Sequence, residues 1–283
     1  MERTLTRQIL FLLGRRYGVG REVLEKLLQL EPLQDVWLMY HSALVSSWAA
    51  RLALREGCSA SRAFILGMIH DVYEAVGVEE LLNVLKVIGL EEFKQDAREL
   101  VKGPLDKLSC EAKCVIDADI LAKAGFSGVL SLVASAVYRE EDPLILAVEK
   151  LPRSLTILSN SMDTLLTRSA RKVAKALLEK TREMFLGVLE ELKLHGIPLV
   201  PAEARVKGRL LHYAKLVACP ACGSTQLVVE VVDKGEDETS LTIVQECGEC
   251  GYRMETVIPK PWKLHEHIRR VSRAWKKRSQ KSS

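Results

Sequence analysis

The sequence predicts a mainly α-helical fold that ends in a small β domain followed by a basic helix. Apolar residues recur at helical spacing from the N-terminus to about residue 200, and glycine or proline interrupts this pattern at intervals suited to consecutive helices. Two short alternating runs, residues 227–232 and 241–245, flank a polar turn and are typical of strands. The chain has 283 residues, 48% of them hydrophobic, so it can bury one large core beside a small satellite domain.

The breaks in these patterns predict the domain organisation. The last helix of the helical region is predicted to be long, from about residue 162 to 194, and Gly196-Ile197-Pro198 ends it. Residues 198–206 are interpreted as a linker. The expected domains are a helical domain over 1–200, a four-cysteine β domain over 205–258 and a basic tail helix over 259–283.

Two histidines and two aspartates form the most informative pattern of the chain. His41 opens an apolar helical stripe, so its imidazole is expected to face a core, and His70-Asp71 directly follow the apolar run 63–69. Asp119 also has apolar neighbours, among which a carboxylate rarely stays unpaired. A single buried histidine is usually a core residue, but the His-Asp pair has no obvious packing use. Such ligands suit Mn, Fe, Zn, Ni or Co, with Mg an option if carboxylates and water dominate.

The order and spacing of these residues resemble the HD superfamily of metal-dependent phosphohydrolases. The likeness runs from about residue 37 to 192 and includes the later segment 161–174. It implies that the helical domain is an HD domain and that it cleaves phosphoester bonds, with nucleotides as the preferred substrates. The metal ligands that the resemblance implies are His41, His70, Asp71 and Asp119.

Asp117 and Asp119 compete for the fourth ligand position. Two positions apart on a helix, their side chains point about 200° from each other, so both cannot face one metal ion. Periodicity leaves the choice open, since apolar residues flank both faces. The family pattern places the ligand at Asp119 and leaves Asp117 as a supporting or capping group.

Glu74 occupies a position where many HD enzymes carry a phosphate-binding lysine. The form His-Asp-x-x-Glu is similar to HD-type deoxynucleotidases, whose glutamate helps to activate the attacking water. We therefore expect Glu74 and Asp71 to take part in catalysis, although a solvated charge at a helix end is the alternative for Glu74. Ile120 and Ala122 stand where relatives often carry a cation and a second acid, so a weakened or inactive site is a further alternative.

Four cysteines form a second pattern, in two Cys-x-x-Cys-Gly knuckles separated by the predicted strands. Four thiolates in two such pairs provide closed tetrahedral coordination, and the glycines permit the tight turns that aim amide groups at sulfur. The arrangement resembles a zinc ribbon, in which structural zinc supplies stability that so small a domain lacks. Paired disulfides and a redox motif are the alternatives. The expected zinc ligands are Cys219, Cys222, Cys247 and Cys250.

The other three cysteines form no such knuckles. Cys110 and Cys114 lie four positions apart on the predicted helix of Asp119, so we interpret them as small packing residues. A regulatory disulfide between these two is the alternative. Cys58 has no assigned role. Free thiols and zinc-type spacing fit a reducing cytoplasm, and the chain has no apolar run long enough to cross a bilayer.

The net charge of +4 hides a basic C-terminus. Residues 256–283 contain nine Lys or Arg and a single acid, Glu266, which leaves the rest of the chain negative. Basic residues with interleaved tryptophan suit nucleic-acid backbones, whereas a solvated helix and an anionic membrane surface are the alternatives. The residues expected to contact RNA or DNA are Arg269, Arg270, Arg273, Trp275, Lys276, Lys277 and Arg278.

Three functions remain open from the sequence. The first is a phosphohydrolase acting on small nucleotides, and the second is a nuclease or RNA phosphodiesterase, which the ribbon and tail favour. The third is an adaptor that binds nucleic acid or ribonucleoprotein and uses the HD fold as a scaffold. The intact ligand set favours an enzyme, and the missing cations near Asp119 favour the adaptor.

Overall fold

The computed structural model describes residues 5–138, 144–161, 164–235 and 239–263. It confirms the mainly α class, with helices followed by small antiparallel sheets at the C-terminal side. The described residues fall into two compact units, the first made of 5–122 and 165–173, the second of the remainder. Among the described residues, no helix is long and apolar enough to cross a membrane.

The first unit contains eight complete helices, and the beginning of α11 also belongs to it. Helices α3, α4 and α8 pack against one another and form its centre. The helices are α1 (Leu5–Arg16), α2 (Arg21–Leu27), α3 (Val36–Glu56), α4 (Ala60–Ile69), α5 (Val72–Val76), α6 (Val78–Val87), α7 (Lys94–Lys102) and α8 (Cys110–Ala122).

Helices α3 and α4 begin at capping side chains and cross at a glycine. The Asp35 carboxylate accepts a hydrogen bond from the Leu38 amide, and the Ser59 hydroxyl accepts one from Arg62, which satisfies free amides of each first turn. Gly67 of α4 faces the α3 backbone so closely that a Cβ there would lie 2.7 Å from Ser46 Cα. The absence of a side chain at Gly67 therefore sets the distance between the two helices.

The last long helix, α11 (Arg168–Leu194), begins later than the sequence pattern indicates. Asp117 of α8 accepts hydrogen bonds from the amides of Leu166 (2.9 Å) and Thr167 (2.7 Å) and from the Thr167 hydroxyl (2.8 Å). The Thr167 hydroxyl in turn accepts from the Ala170 amide, as a helix cap does. The predicted start near residue 162 is wrong because these caps fix the first turn at Arg168.

The second unit combines helices with a hairpin where a linker was expected. Residues 199–216 form two antiparallel strands joined by a turn in which Lys207 and Gly208 both have positive φ. The hairpin shares one buried core with the helices, made of Leu151, Leu155, Phe185, Leu189, Leu199, Ala214 and Leu216. The elements are α9 (Gly125–Tyr138), α10 (Leu151–Ser161), the rest of α11, β1 (Leu199–Val206) and β2 (Arg209–Leu216).

Side chains form hydrogen bonds with the backbone groups along the outer edge of β2, which is the edge that does not face β1. Asn160 donates to the Leu210 carbonyl and accepts from the Leu210 amide, while the Thr156 hydroxyl accepts from the His212 amide. Further along, Gln245 donates to the Ala214 carbonyl and accepts from the Leu216 amide. The bonded residues alternate with period two, as expected for one edge of a strand.

A three-stranded antiparallel sheet in the order β3-β4-β5 follows the hairpin. Strands β3 (Leu227–Val232) and β4 (Ser240–Cys247) confirm the two predicted strands, and β5 (Arg253–Pro259) adds a third. The basic tail helix predicted over 259–283 falls mostly on residues 264–283, which lie outside the described residues.

Substitution of Gly67 by alanine tests the crossing of α3 and α4. The new Cβ meets backbone atoms of Ser46 that cannot move aside, so we expect a loss of about 1–3 kcal/mol in the free energy of unfolding. The matched control is Gly187→Ala on an exposed turn of α11, where no atom lies within 4 Å and alanine should stabilise by about 0.5–1 kcal/mol. Chemical denaturation measures both, and equal stabilities for the two variants would contradict the close approach.

Candidate metal centres

His41 and His70 come from different helices and turn toward each other. His41 lies on α3 and His70 follows the last residue of α4, and their ring centroids are 5.2 Å apart. Both side chains are buried, with 5% and 7% of their residue surface exposed. Two imidazoles therefore share one pocket inside the first unit.

The carboxylates of Asp71 and Asp119 complete this group. His41 Nε2 lies 3.3 Å from Asp71 Oδ2 and 3.2 Å from Asp119 Oδ1. His70 Nε2 lies 3.1 Å from Asp71 Oδ1 and 3.8 Å from Asp119 Oδ1. The structure thus brings together all four residues that the resemblance implied as ligands.

Neighbouring groups orient both imidazoles. His70 Nδ1 lies 2.7 Å from the Gly67 carbonyl oxygen, to which it donates its proton, so in the neutral imidazole Nε2 carries the lone pair that faces the carboxylates. The Trp37 indole stacks on the His41 ring at a centroid distance of 5.9 Å. The sequence pattern predicted neither contribution, although Gly67 and Trp37 lie three and four positions before the histidines that they orient.

The charges in this pocket are strongly coupled. Burial alone would lower the pKa of His70, but the Asp71 and Asp119 carboxylates outweigh burial and raise that pKa to about 10. The pKa of His41 is raised by the same two carboxylates against its burial. Burial would raise the pKa of Asp71, yet His70 and His41 hold it below its usual range. Without metal, protons on the histidines balance the two carboxylates.

The donor set of this pocket fits a divalent metal ion. His70 Nε2 is buried and makes no hydrogen bond of acceptable geometry, which is rare for a buried polar atom that has no further role. Nitrogen and oxygen atoms of His41, His70 and Asp71 lie within 4.8 Å of one another, so one ion can reach all of them. Imidazole and carboxylate ligands together suit Mn, Fe, Co or Ni.

The remaining residues considered for this site in the sequence do not all face the pocket of the two histidines. Asp117 faces the start of α11, where burial raises its pKa to about 6 against the opposing hydrogen bonds of Leu166 and Thr167. Glu74 lies on α5, and its side chain is outside the described part of the molecule. Ile120 and Ala122 are both buried.

The four cysteines of the two knuckles form a second candidate centre. Cys219 Sγ lies 3.5 Å from Cys250 Sγ, and Cys222 Sγ lies 3.6 Å from Cys247 Sγ. A tetrahedral zinc ion with Zn–S bonds of about 2.3 Å holds its sulfurs about 3.8 Å apart, so this spacing fits zinc. The arrangement is consistent with the expected zinc ribbon.

Tight turns shape both knuckles. The Gly223 amide donates to the Cys219 carbonyl and the Gly251 amide to the Cys247 carbonyl, and both glycines have positive φ. The amides of Cys250 and Glu249 lower the pKa of Cys247 to about 7, which favours the thiolate form that binds metal. The seven tail residues proposed to contact nucleic acid, Arg269 to Arg278, lie outside the described residues.

Comparison with known proteins gives similar structures but no matching family model and no matching curated protein. Bacillus subtilis YpgQ is 20% identical, with 60% of this chain and 97% of that chain covered and a TM-score of 0.48. A Lactobacillus plantarum protein is 20% identical, with 68% and 100% covered and a TM-score of 0.47. A predicted HD superfamily hydrolase from an uncultured Thermotogales bacterium is 19% identical, with 65% and 91% covered and a TM-score of 0.38.

We expect metal binding at the His-Asp pocket to strengthen as pH rises. Metal-free His70, whose pKa is raised to about 10, holds a proton that a metal ion must displace, and the raised pKa of His41 acts in the same direction. The apparent affinity for Mn²⁺ should rise by roughly tenfold per pH unit for each proton displaced.

Without metal, the contribution of protonated His70 to the free energy of unfolding is complete below its unfolded pKa and disappears as pH rises through about 10.

Calorimetric titration with Mn²⁺ between pH 6 and 8 measures this dependence. The variant His70→Gln should weaken binding and flatten the slope, whereas His195→Gln, which changes an exposed histidine at the end of α11, should keep the wild-type slope. An affinity that does not change with pH would show that the metal does not displace protons from the histidines.

Proposed function

We propose that this protein is a metal-dependent phosphohydrolase of the HD type. The observation that carries this proposal is the buried group of His41, His70, Asp71 and Asp119, because two imidazoles and two carboxylates at these distances suit a divalent metal ion. We assign these four residues as ligands of Mn, Fe, Ni, Co or Mg. An ion held by these residues would supply polarisation of a phosphoryl oxygen and a water of lowered pKa.

The residues of the chain would position the site and move protons. The Gly67 carbonyl fixes the tautomer of His70, so that Nε2 is the ligand atom. We assign Glu74 as the general base that accepts a proton from the attacking water, since it lies one turn after Asp71. Nucleotides are the proposed substrates, on the basis of the sequence motifs.

Asp71→Asn and Glu74→Gln separate metal binding from turnover. Asp71→Asn should lose metal and phosphate release together, because it removes a ligand charge without a large change in shape. Glu74→Gln should keep the metal but lower turnover by roughly 10²- to 10⁴-fold, as expected for loss of a general base. The control is Asp106→Asn, which changes an exposed aspartate before α8. Phosphate release from a panel of nucleotides and metal content are the measurements.

The outcomes distinguish the functions. Full metal content and full activity in Asp71→Asn would show that the group of His41, His70, Asp71 and Asp119 is not the metal site. Metal binding without turnover on nucleotides or short RNA would favour the adaptor function.

The basic tail favours a second candidate, an enzyme or adaptor that engages RNA or DNA. Seven Lys or Arg lie within residues 264–283, and nucleic-acid affinity depends on such cations through counterion release. The ribbon, with structural zinc proposed at its four cysteines, would then form part of the nucleic-acid-binding region.

Deletion of residues 264–283 tests this candidate. RNA binding should weaken by orders of magnitude at low salt, and the slope of log affinity against log salt should flatten by roughly 0.7–0.9 for each phosphate group that the shortened chain no longer binds. Hydrolysis of a mononucleotide should stay close to wild type, whereas a nuclease would lose turnover on polymers.

Two triple variants serve as controls for the deletion. Changing Lys276, Lys277 and Arg278 to Gln should weaken RNA binding in part. Changing the exposed Lys172, Lys175 and Lys180 of α11 to Gln should change RNA binding little. Equal binding by all variants across a salt series would exclude the tail as a nucleic-acid site.

A further inference from the structure

The chain has seven cysteines, and the fold gathers all of them into two clusters. Four belong to the ribbon. The remaining three, Cys58, Cys110 and Cys114, have sulfur atoms within 4.8 Å of one another, although 52 positions separate the first from the second. We name these three the helical cysteine cluster. Such convergence of every cysteine outside the ribbon indicates a chemical role beyond packing.

Cys58 and Cys110 form a disulfide in this cluster. Their Cα atoms are 6.2 Å apart, within the usual range for disulfides. The interpretation of Cys110 as a small packing residue is therefore wrong, as is the alternative disulfide between Cys110 and Cys114. Spacing along one helix could not reveal Cys58, which approaches α8 from the turn between α3 and α4.

Other contacts hold the same elements together without the disulfide. The Ser59 amide donates to Glu111 Oε1 at 2.9 Å, which joins the residue after Cys58 to the residue after Cys110. Cys114 lies one turn further along α8 and is buried, and burial raises its pKa to about 12, so it stays a neutral thiol. Cys58 and Cys110 are both less buried than Cys114. The fold thus keeps one pair in reach of solutes and the third thiol unreactive.

The position of the disulfide relates it to the metal pocket. The segment that it closes contains His70 and Asp71, whereas His41 and Asp119 lie outside that segment. Cys58 follows α3, the helix of His41, and Cys110 begins α8, the helix of Asp119. A covalent link at this point limits how far the three helices that carry the ligands can separate.

We propose that Cys58 and Cys110 are a reversible thiol-disulfide site that stabilises the first unit and its hold on metal. The oxidant is a small-molecule disulfide. One cysteine thiolate attacks it and releases one small thiol, and the second cysteine then attacks the mixed disulfide and releases another. Two cysteine thiols and one small disulfide become one protein disulfide and two small thiols, so atoms and electrons balance. A dithiol reverses the exchange.

Thiol counting tests the disulfide directly. The zinc-loaded protein is treated with oxidised glutathione, separated from it by gel filtration, and unfolded with a chelator but without reductant. Five of the seven cysteines should then react with a thiol reagent, and the peptides of Cys58 and Cys110 should remain linked. Seven reactive thiols, or a link between Cys110 and Cys114, would overturn the proposal.

Thermal unfolding and metal release test the consequence. Reduction of the wild type should lower Tm by roughly 5–10 °C, because a closed loop of this length restrains the unfolded chain. Cys58→Ser and Cys110→Ser should match the reduced wild type and release Mn²⁺ to a chelator several-fold faster than the oxidised protein. Cys114→Ser is the matched control, and its Tm should still fall on reduction.

The results separate this proposal from a thiolate metal site. An unchanged Tm on reduction would overturn it. A second zinc bound only by the reduced protein, and lost in Cys114→Ser as well as Cys58→Ser, would replace it with a thiolate metal site. The thiol count and the Tm do not depend on the metal at His41, so failure of the proposed hydrolase would leave this test intact.

Discussion

The close approach of α4 to α3 at Gly67 is the constraint on which the metal pocket depends. Because Gly67 has no side chain, its backbone lies against Ser46, and its carbonyl three positions before His70 accepts the imidazole proton. The same glycine thus sets the spacing of two helices and the tautomer of a ligand. Any larger residue would change both, since a displaced α4 carries His70 and Asp71 with it.

Placing two carboxylates side by side in a buried pocket costs electrostatic free energy unless a cation lies between them. Two carboxylates in a buried pocket repel each other. In the metal-free protein their negative charge favours protonated histidine, as the raised pKa of His70 indicates. A divalent ion would replace those protons. A metal ion and the histidine protons would therefore compete to neutralise the same two carboxylates, and metal binding would depend on pH.

The sequence analysis located the residues of both centres better than it located their surroundings. Helical periodicity predicted that His41 faces a core, the resemblance implied the group of two histidines and two aspartates, and the knuckle spacing predicted the sulfur cluster. Asp117 and Asp119 could not be separated by periodicity alone, because the structure buries both carboxylates on opposite sides of α8. What decides between them is the partner of each: the start of α11 for Asp117 and the histidines for Asp119. Contacts between segments far apart in sequence, such as Cys58 with Cys110, leave no periodic pattern.

The side chains that bond the outer edge of β2 have a consequence for association. An open strand edge recruits strands from other molecules, either in aggregates or when a partner peptide extends the sheet. In β2, side chains already occupy the outward-facing backbone groups through hydrogen bonds. Asn160 and Thr156 bond Leu210 and His212, and Gln245 bonds Ala214 and Leu216. This hairpin edge is thus closed to β-augmentation. A hydrophobic side chain in place of Gln245 would leave the Ala214 carbonyl and the Leu216 amide without these hydrogen bonds, so this buried polar residue closes one end of the edge.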